Sequence, residues 1–193
     1  MADETALLAE AVDLQPIGRL DAGTLGPLAA RLSRLIELPV HVLAPAALEA
    51  APVPGRDQLD ASELLQRLEA AAPSAPRLLV GLTGEDIAIP VFTFVFGLAR
   101  QGGRACLVSL ARTDPEFYGL PRDAERRDGR TTCEILHELG HLAGLAHCPD
   151  RGCLMSFAGS IEAVDARGSR FCEGCSARLP RWLAGRAPAR EPV

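Results

Sequence analysis

His137-Glu138-Leu139-Gly140-His141-Leu142-Ala143-Gly144-Leu145-Ala146-His147 is the stretch on which the reading of this chain turns. It has the pattern H-E-x-x-H-x-x-G-x-x-H. On a helix, His137 and His141 stand one turn apart on one face and can grip a single ion together. Glu138 lies beside them on the same side, where it can hold a water. Ile135, Leu139 and Leu142 fall on the opposite face, flanked by Leu136 and Ala143. That face can bury against a sheet while the histidine face lines a cleft. A third ligand cannot come from the same straight helix at this spacing. Gly144 accepts the left-handed backbone that ends a helix and turns the chain, which lets His147 swing back.

Three neutral imidazoles with one open position form the donor set of a catalytic zinc, with Zn–N distances of about 2.0–2.1 Å. A bare H-E-x-x-H arises by chance in many chains; Gly144 and His147 at fixed spacing make coincidence improbable. The chain has 4 His, and the motif holds three of them. His41 lies in a strand-like segment and reads as structural or incidental. A second constellation comes directly after: Cys148 and Cys153, then Cys172-x-x-Cys175. Two pairs of thiolates suit a closed tetrahedral structural zinc. Cys106 and Cys133 fall outside both patterns and read as small buried apolar residues. Met155, between the second and third of these cysteines, is placed to form an apolar floor beneath the histidines, a Met-turn.

Upstream of this, strand and helix signals alternate. Val12 to Ile17, Pro39 to Leu43, Arg77 to Leu82 and Arg104 to Leu110 read as strands. Leu25, Leu28, Leu32, Leu35 and Ile36 recur at helical spacing, with Thr24 as N-cap. Ala44 to Asp57 reads as a surface loop. Asp60 with Glu63 opens a helix through Leu64, Leu65 and Leu68, and Thr131 with Glu134 opens the helix that carries the histidines. Phe92 to Phe96 reads as a strand, and Pro90 just before it suits a sheet edge. The fold class expected is α/β, an α/β layer with a mostly parallel sheet. The chain reads as a single domain, 1–193. Residues 1–144 form the sheet and helix part, including the histidine helix; residues 145–193 are a C-terminal zinc-bound part rich in Gly and Cys.

The 193 residues suit one core of useful size. With 48% apolar and 4% aromatic residues, that core is mostly aliphatic. All 20 basic residues are Arg and the net charge is −5, so the total charge gives no reason to expect nucleic acid or an anionic membrane as partner. No segment approaches the roughly 20 apolar residues of a membrane span. Met1 to Asp13 lacks the basic start and apolar run of a secretory signal. The expected location is therefore the cytoplasm, where 6 Cys favour metal ligation over disulfides. The expected state is a monomer.

His137-Glu138-x-x-His141-x-x-Gly144-x-x-His147-Cys148, four residues, Cys153-x-Met155, sixteen residues and Cys172-x-x-Cys175 together resemble the archaemetzincins, a metzincin family of archaea, some bacteria and vertebrates. The motifs cover Thr131 to Cys175. The Phe94-Val95-Phe96-Gly97 run is similar as well, and the N-terminal third matches loosely. The resemblance implies a metzincin-like mixed, mostly parallel sheet with one antiparallel edge strand above the active-site helix. It also implies a peptide substrate lying along that edge, with Phe94, Val95, Phe96 and Gly97 as the candidate strand. Tyr118, the chain's 1 Tyr, precedes the helix and is assigned no role.

The activity expected is peptide-bond hydrolysis by a zinc-bound water, with His137, His141 and His147 as ligands and Glu138 as general base. Two zinc ions per chain are expected, the second held by Cys148, Cys153, Cys172 and Cys175. Three rival readings compete with this one: Glu162 as third ligand, a DNA-associated metalloprotease, and a non-catalytic zinc-stabilised peptide-binding module.

Overall fold

In the computed structural model, residues 9–18, 20, 22–73 and 76–184 are described. Most of the segment that lacks a secretory signal pattern, and the tail beyond residue 184, lie outside the described residues.

The chain runs β1 (Ala11–Ile17), α1 (Ala22–Ile36), β2 (Val40–Val42), β3 (Leu59–Asp60), α2 (Ala61–Ala71), β4 (Arg77–Thr83), β5 (Ile87–Ala88), β6 (Gly97–Ala99), β7 (Ala105–Ser109), α3 (Ala124–Leu142), α4 (Ile161–Ala166), α5 (Glu173–Ser176) and α6 (Arg181–Ala184). The main sheet has the order β2-β1-β4-β7-β6, with β3 and β5 forming a separate pair. Parallel pairing joins β1 to β2 and β4, and β4 to β7. β6 alone runs antiparallel in this sheet, with Gly97 opposite Val108 and Ala99 opposite Cys106. This is the mixed, mostly parallel sheet with one antiparallel edge that the sequence and its resemblance led us to expect.

Both faces of the sheet are covered, which is why its central strands are apolar between their ends. Alternation divides each strand between the two sides. Leu78, Val80, Leu82, Cys106 and Val108 pack with Leu28 and Leu32 of α1 and with Ile135 and Leu139 of α3. Leu79, Ala105 and Leu107 pack with Leu64 and Leu68 of α2. The face of α3 opposite the histidines is thus sunk in the larger core.

Three local expectations need correcting. Helix α1 begins at Ala22, so Thr24 lies in its first turn and does not cap it. α3 begins seven residues before Thr131, at Ala124, with the Asp123 side chain accepting from Arg126 N. Thr131 and Thr132 donate their hydroxyls back to Arg127 O and Asp128 O, the usual outlet for such residues inside a helix. Phe92 to Phe96 is not a strand. Phe92 N closes a turn on Ile89 O, Val95 N donates to Ile87 O of the small pair, and pairing with β7 begins only where Phe96 O accepts from Ser109 N. By contrast, Asp60 does cap α2, accepting from Ser62 N and Glu63 N. Glu63 turns instead to Ala51 N, at 2.9 Å.

Candidate metal centre and cleft

His137 and His141 project from the last two turns of α3. The helix ends in a Schellman motif: Leu145 N donates to Gly140 O at 3.0 Å and Gly144 N to His141 O at 2.9 Å. Gly144 sits at φ +90°, where a side chain would be strained. Gln101 Nε2, in the turn between β6 and β7, also holds Gly144 O. The chain leaving the helix is therefore fixed as far as Leu145, and His147 returns to the other two histidines. One ring nitrogen from each of the three lies within 4.8 Å of the others.

The tautomers are set by the partners. Carbonyl oxygens only accept, so His137 Nδ1 donates to Leu154 O and His141 Nδ1 to Leu145 O, each at 2.8 Å. Both Nε2 atoms then carry lone pairs, and they face each other at 3.1 Å. Lone pairs at that separation, with no proton between them, suit a shared cation. Burial, with Arg167 second, holds the His137 imidazole down at about 2, and burial also lowers His141 and His147. All three are thus held in the neutral form a metal needs.

Glu138 is buried, and burial pushes its carboxyl well up, with Glu134 adding to the effect and Arg167 opposing it. Among the described residues, Glu138 Oε2 and Arg167 Nε are the buried side-chain polar atoms without a hydrogen-bond partner. An orphaned carboxylate oxygen beside three converging imidazoles fits a site that takes an ion and a water. The opposite wall leaves room for it: a Cβ at Gly97 of β6 would lie 2.6 Å from Glu138 Oε1. Met155 is fully buried beneath the helix, where a Cβ at Gly140 would lie 2.5 Å from its sulfur. The cleft lined by Gly97, His137, Glu138, His141 and His147 holds about 440 Å³.

One sulfur from each of Cys148, Cys153, Cys172 and Cys175 also lies within 4.8 Å of the others. Cys148 N donates to Met155 O at 2.8 Å, and Cys172 N to Cys153 Sγ at 3.3 Å. Backbone donation from Cys175 lowers the Cys172 thiol, whereas burial raises Cys153 and Cys175. Four sulfurs at this spacing fit one tetrahedral ion.

Residues 76–181, more than half of the chain, match Peptidase family M54. The chain belongs to that family. Over 108 residues it is 44% identical to the archaemetzincin of Pyrococcus horikoshii, a match spanning 56% of this chain and 57% of that protein. Over 131 residues it is 44% identical to the archaemetzincin of Methanopyrus kandleri, covering 66% of this chain and 69% of that one. Its fold superposes on a zinc-dependent peptidase from Methanocorpusculum labreanum with a TM-score of 0.78 at 28% identity, covering 87% of this chain and 99% of the other. Among the described residues of this M54 chain, no helix is long and apolar enough to cross a membrane.

Sequence reasoning missed one pair that borders the site. Glu134 has capping-box spacing to Thr131, but its carboxylate meets Arg167 Nη2 at 2.5 Å, with both side chains buried. Arg167 Nη1 reaches Ser156 O at 3.3 Å and lies 3.2 Å from His137 Nδ1. One turn earlier on α3, Arg130 grips Asp165 with two bonds of 2.6 and 2.7 Å. The spacing of Arg130 and Glu134 on one helix face, against Asp165 and Arg167, was the available signal. Glu162, the rival third ligand, is exposed on α4 and outside the histidine group. His41 lies beside Asp13 and Arg77, remote in the fold at the β1–β2 edge. Cys106 is fully buried, and burial raises the Cys133 thiol to about 11. Tyr118 donates to Arg112 O.

Proposed function

We propose that this chain hydrolyses peptide bonds with His137, His141 and His147 holding zinc and Glu138 serving as general base. The observation that carries the reading is the convergence of three neutral imidazoles on one point beside a buried carboxylate with an unpaired oxygen. Zinc bound there supplies Lewis-acid polarisation of the scissile carbonyl and draws the pKa of a water towards about 7. Glu138 takes the proton of the attacking water and hands it to the leaving amine. Its burial keeps bulk water from competing for that proton. Leu154 O and Leu145 O fix the rings of His137 and His141 through Nδ1, as a metal-binding imidazole requires.

The substrate lies extended along the sheet edge above α3, where backbone hydrogen bonds give affinity regardless of side chain. Of the segment read from sequence as the substrate strand, Gly97 belongs to the edge strand, and Phe94, Val95 and Phe96 lead into it. The pairing strand is therefore Gly97–Ala99. A second zinc is held by Cys148, Cys153, Cys172 and Cys175 and is structural.

Cleavage of a peptide library by zinc-loaded protein tests the activity; a fully loaded protein that cuts nothing overturns it. Metal analysis of protein purified without chelator should give two zincs per chain, with the histidine-held ion lost first to a chelator. One zinc or fewer counts against the cysteine site.

A further inference from the structure

Past His147 the cleft opens onto two exposed aromatic rings that play no part in the hydrolytic chemistry. Phe92 is 46% exposed and Phe157 58% exposed, and both line the cleft. They come from separate segments, one leading into β6 and the other coming after Met155. Their ring centroids lie 6.3 Å apart, and the Phe157 ring is 5.4 Å from that of His147.

The segments that carry these rings are tied down. Phe92 N donates to Ile89 O, Arg56 Nη1 holds Phe92 O at 2.6 Å, and Gln58 Nε2 holds Thr93 O at 2.9 Å. On the other side, Ser156 N donates to Cys153 O at 2.9 Å, and Arg167 holds Ser156 O. A Cβ at Gly159 would meet the Phe157 ring at 3.3 Å, so the absent side chain leaves the ring its place. The neighbouring Phe residues are covered: Phe96 is buried against Ile161 and Val164, and Phe94 lies under the Arg112 guanidinium at 4.0 Å. The two exposed rings are thus set apart from their neighbours by a braced backbone.

We propose that Phe92 and Phe157 determine specificity by packing their exposed faces against an apolar or aromatic side chain of the peptide next to the scissile bond, on the His147 side of the site. The proposal rests on the peptidase reading and names its substrate class. Charge decides the occupant. The charged residues lining the cleft are Glu134, Glu138 and Arg167, all buried. Ile89, Val95, Ala146 and Ala158 line the rest of this part with apolar surface. An acidic substrate side chain would lose water against the two ring faces, which are themselves negative, and is disfavoured there. Phe92 and Phe157 already pack on each other, so an apolar or aromatic side chain is taken on their exposed faces, where it buries apolar surface against both rings.

The test uses the full chain loaded with zinc and peptides differing at one position on either side of the bond, carrying Phe, Leu, Ala or Asp. At one of the two positions, kcat/KM for Phe should exceed that for Ala by about 10- to 100-fold, with Asp poorest. Phe157→Ala or Phe92→Ala should cut that Phe-to-Ala ratio by about tenfold, and Phe157→Tyr should keep it. The same ratio in the parent and both alanine variants overturns the proposal. Binding is read separately, by fluorescence anisotropy of the same peptides on Glu138→Gln protein. If no peptide is cleaved, the peptidase reading fails. The rim then stands if the Phe peptide binds more tightly than the Ala peptide and loses that advantage in Phe157→Ala, and it falls if the two bind alike.

Discussion

His137, His141 and His147 stand on the end of one long helix and the turn after it, and they face a cleft. Cys148, Cys153, Cys172 and Cys175 stand on loops and a one-turn helix, and they face one another. The histidines borrow their rigidity. α3 buries Ile135 and Leu139 in the main core, and the Schellman turn fixes the chain leaving the helix. The cysteines sit in a small cluster of their own, with Leu145, Met155 and Phe171 around them. Among the described residues, that segment has only short helices to hold it. On the proposed reading, the site that does chemistry is built on the stronger scaffold and left open, while the weaker scaffold is drawn together around a closed site. The open site should then lose function without losing structure, and the closed one should lose both.

The largest effect expected is on the open side. Glu138→Gln should lower peptide cleavage by about 10²- to 10⁴-fold, because the amide cannot take a proton. It should keep both zincs, since Glu138 is proposed as base and not as ligand. Cleavage kinetics with metal analysis on the same preparation check this. Near-parental cleavage would remove Glu138 from the mechanism, and loss of the histidine-held zinc would make it a ligand.

The second test concerns the boundary between the two regions, where Arg167 joins Glu134 of the rigid helix to the loop carbonyl of Ser156. Arg167→Met leaves the buried Glu134 carboxylate, already pushed up by burial, without its partner. A loss of about 3–5 kcal/mol in unfolding free energy is expected. The double variant Glu134→Leu/Arg167→Met should recover most of it, because replacing both partners leaves neither charge of the pair buried without the other. Urea unfolding of the three proteins decides the matter. A double variant no more stable than the single one would mean that Arg167 acts through Ser156 and the loop, and not through its ion pair.

The parts of this arrangement legible in the sequence were those set by local repetition. The strands β4 and β7 show as apolar runs, β1 shows as apolar and polar residues in alternation, α2 shows its Asp60 cap, and the histidine helix shows its period. The four cysteines and three histidines were legible because ligand spacing is itself local. The features that escaped were decided at a distance. Glu134 has the spacing of a capping partner to Thr131, but its carboxylate goes to Arg167, 33 residues on. Phe92 to Phe96 alternates like a strand, but a turn at Ile89 and a bond to Ile87 hold it off the sheet. The true edge strand, Gly97–Ala99, is 3 residues long, too short for a periodic signal.

The smallest effect expected, and the one that tests the comparison most closely, is the reach of the closed site into the open one. Cys148 is the residue next to His147. Leu154, whose carbonyl fixes His137, lies between Cys153 and Met155. Its amide donates to Arg170 O at 2.7 Å, and Cys148 N donates to Met155 O. Two of the three histidines are therefore set by a loop that the cysteine cluster draws together. His141 is not among them: Leu145 O, the Schellman turn and Gln101 hold its surroundings. Cys172→Ser, remote in sequence from every histidine, should loosen that loop while leaving α3 in place. The expected result is a loss of about tenfold in zinc affinity at the histidine site, the scale on which supporting contacts act, and not its abolition. The measurement is a zinc titration against a competing indicator, at a temperature where circular dichroism shows the variant folded. Affinity equal to the parent's would make the two sites independent, with the adjacency of His147 and Cys148 a matter of chain path alone. Abolition would mean that the helix and its turn contribute less rigidity than their bonds suggest, and that the thiol cluster holds all three histidines.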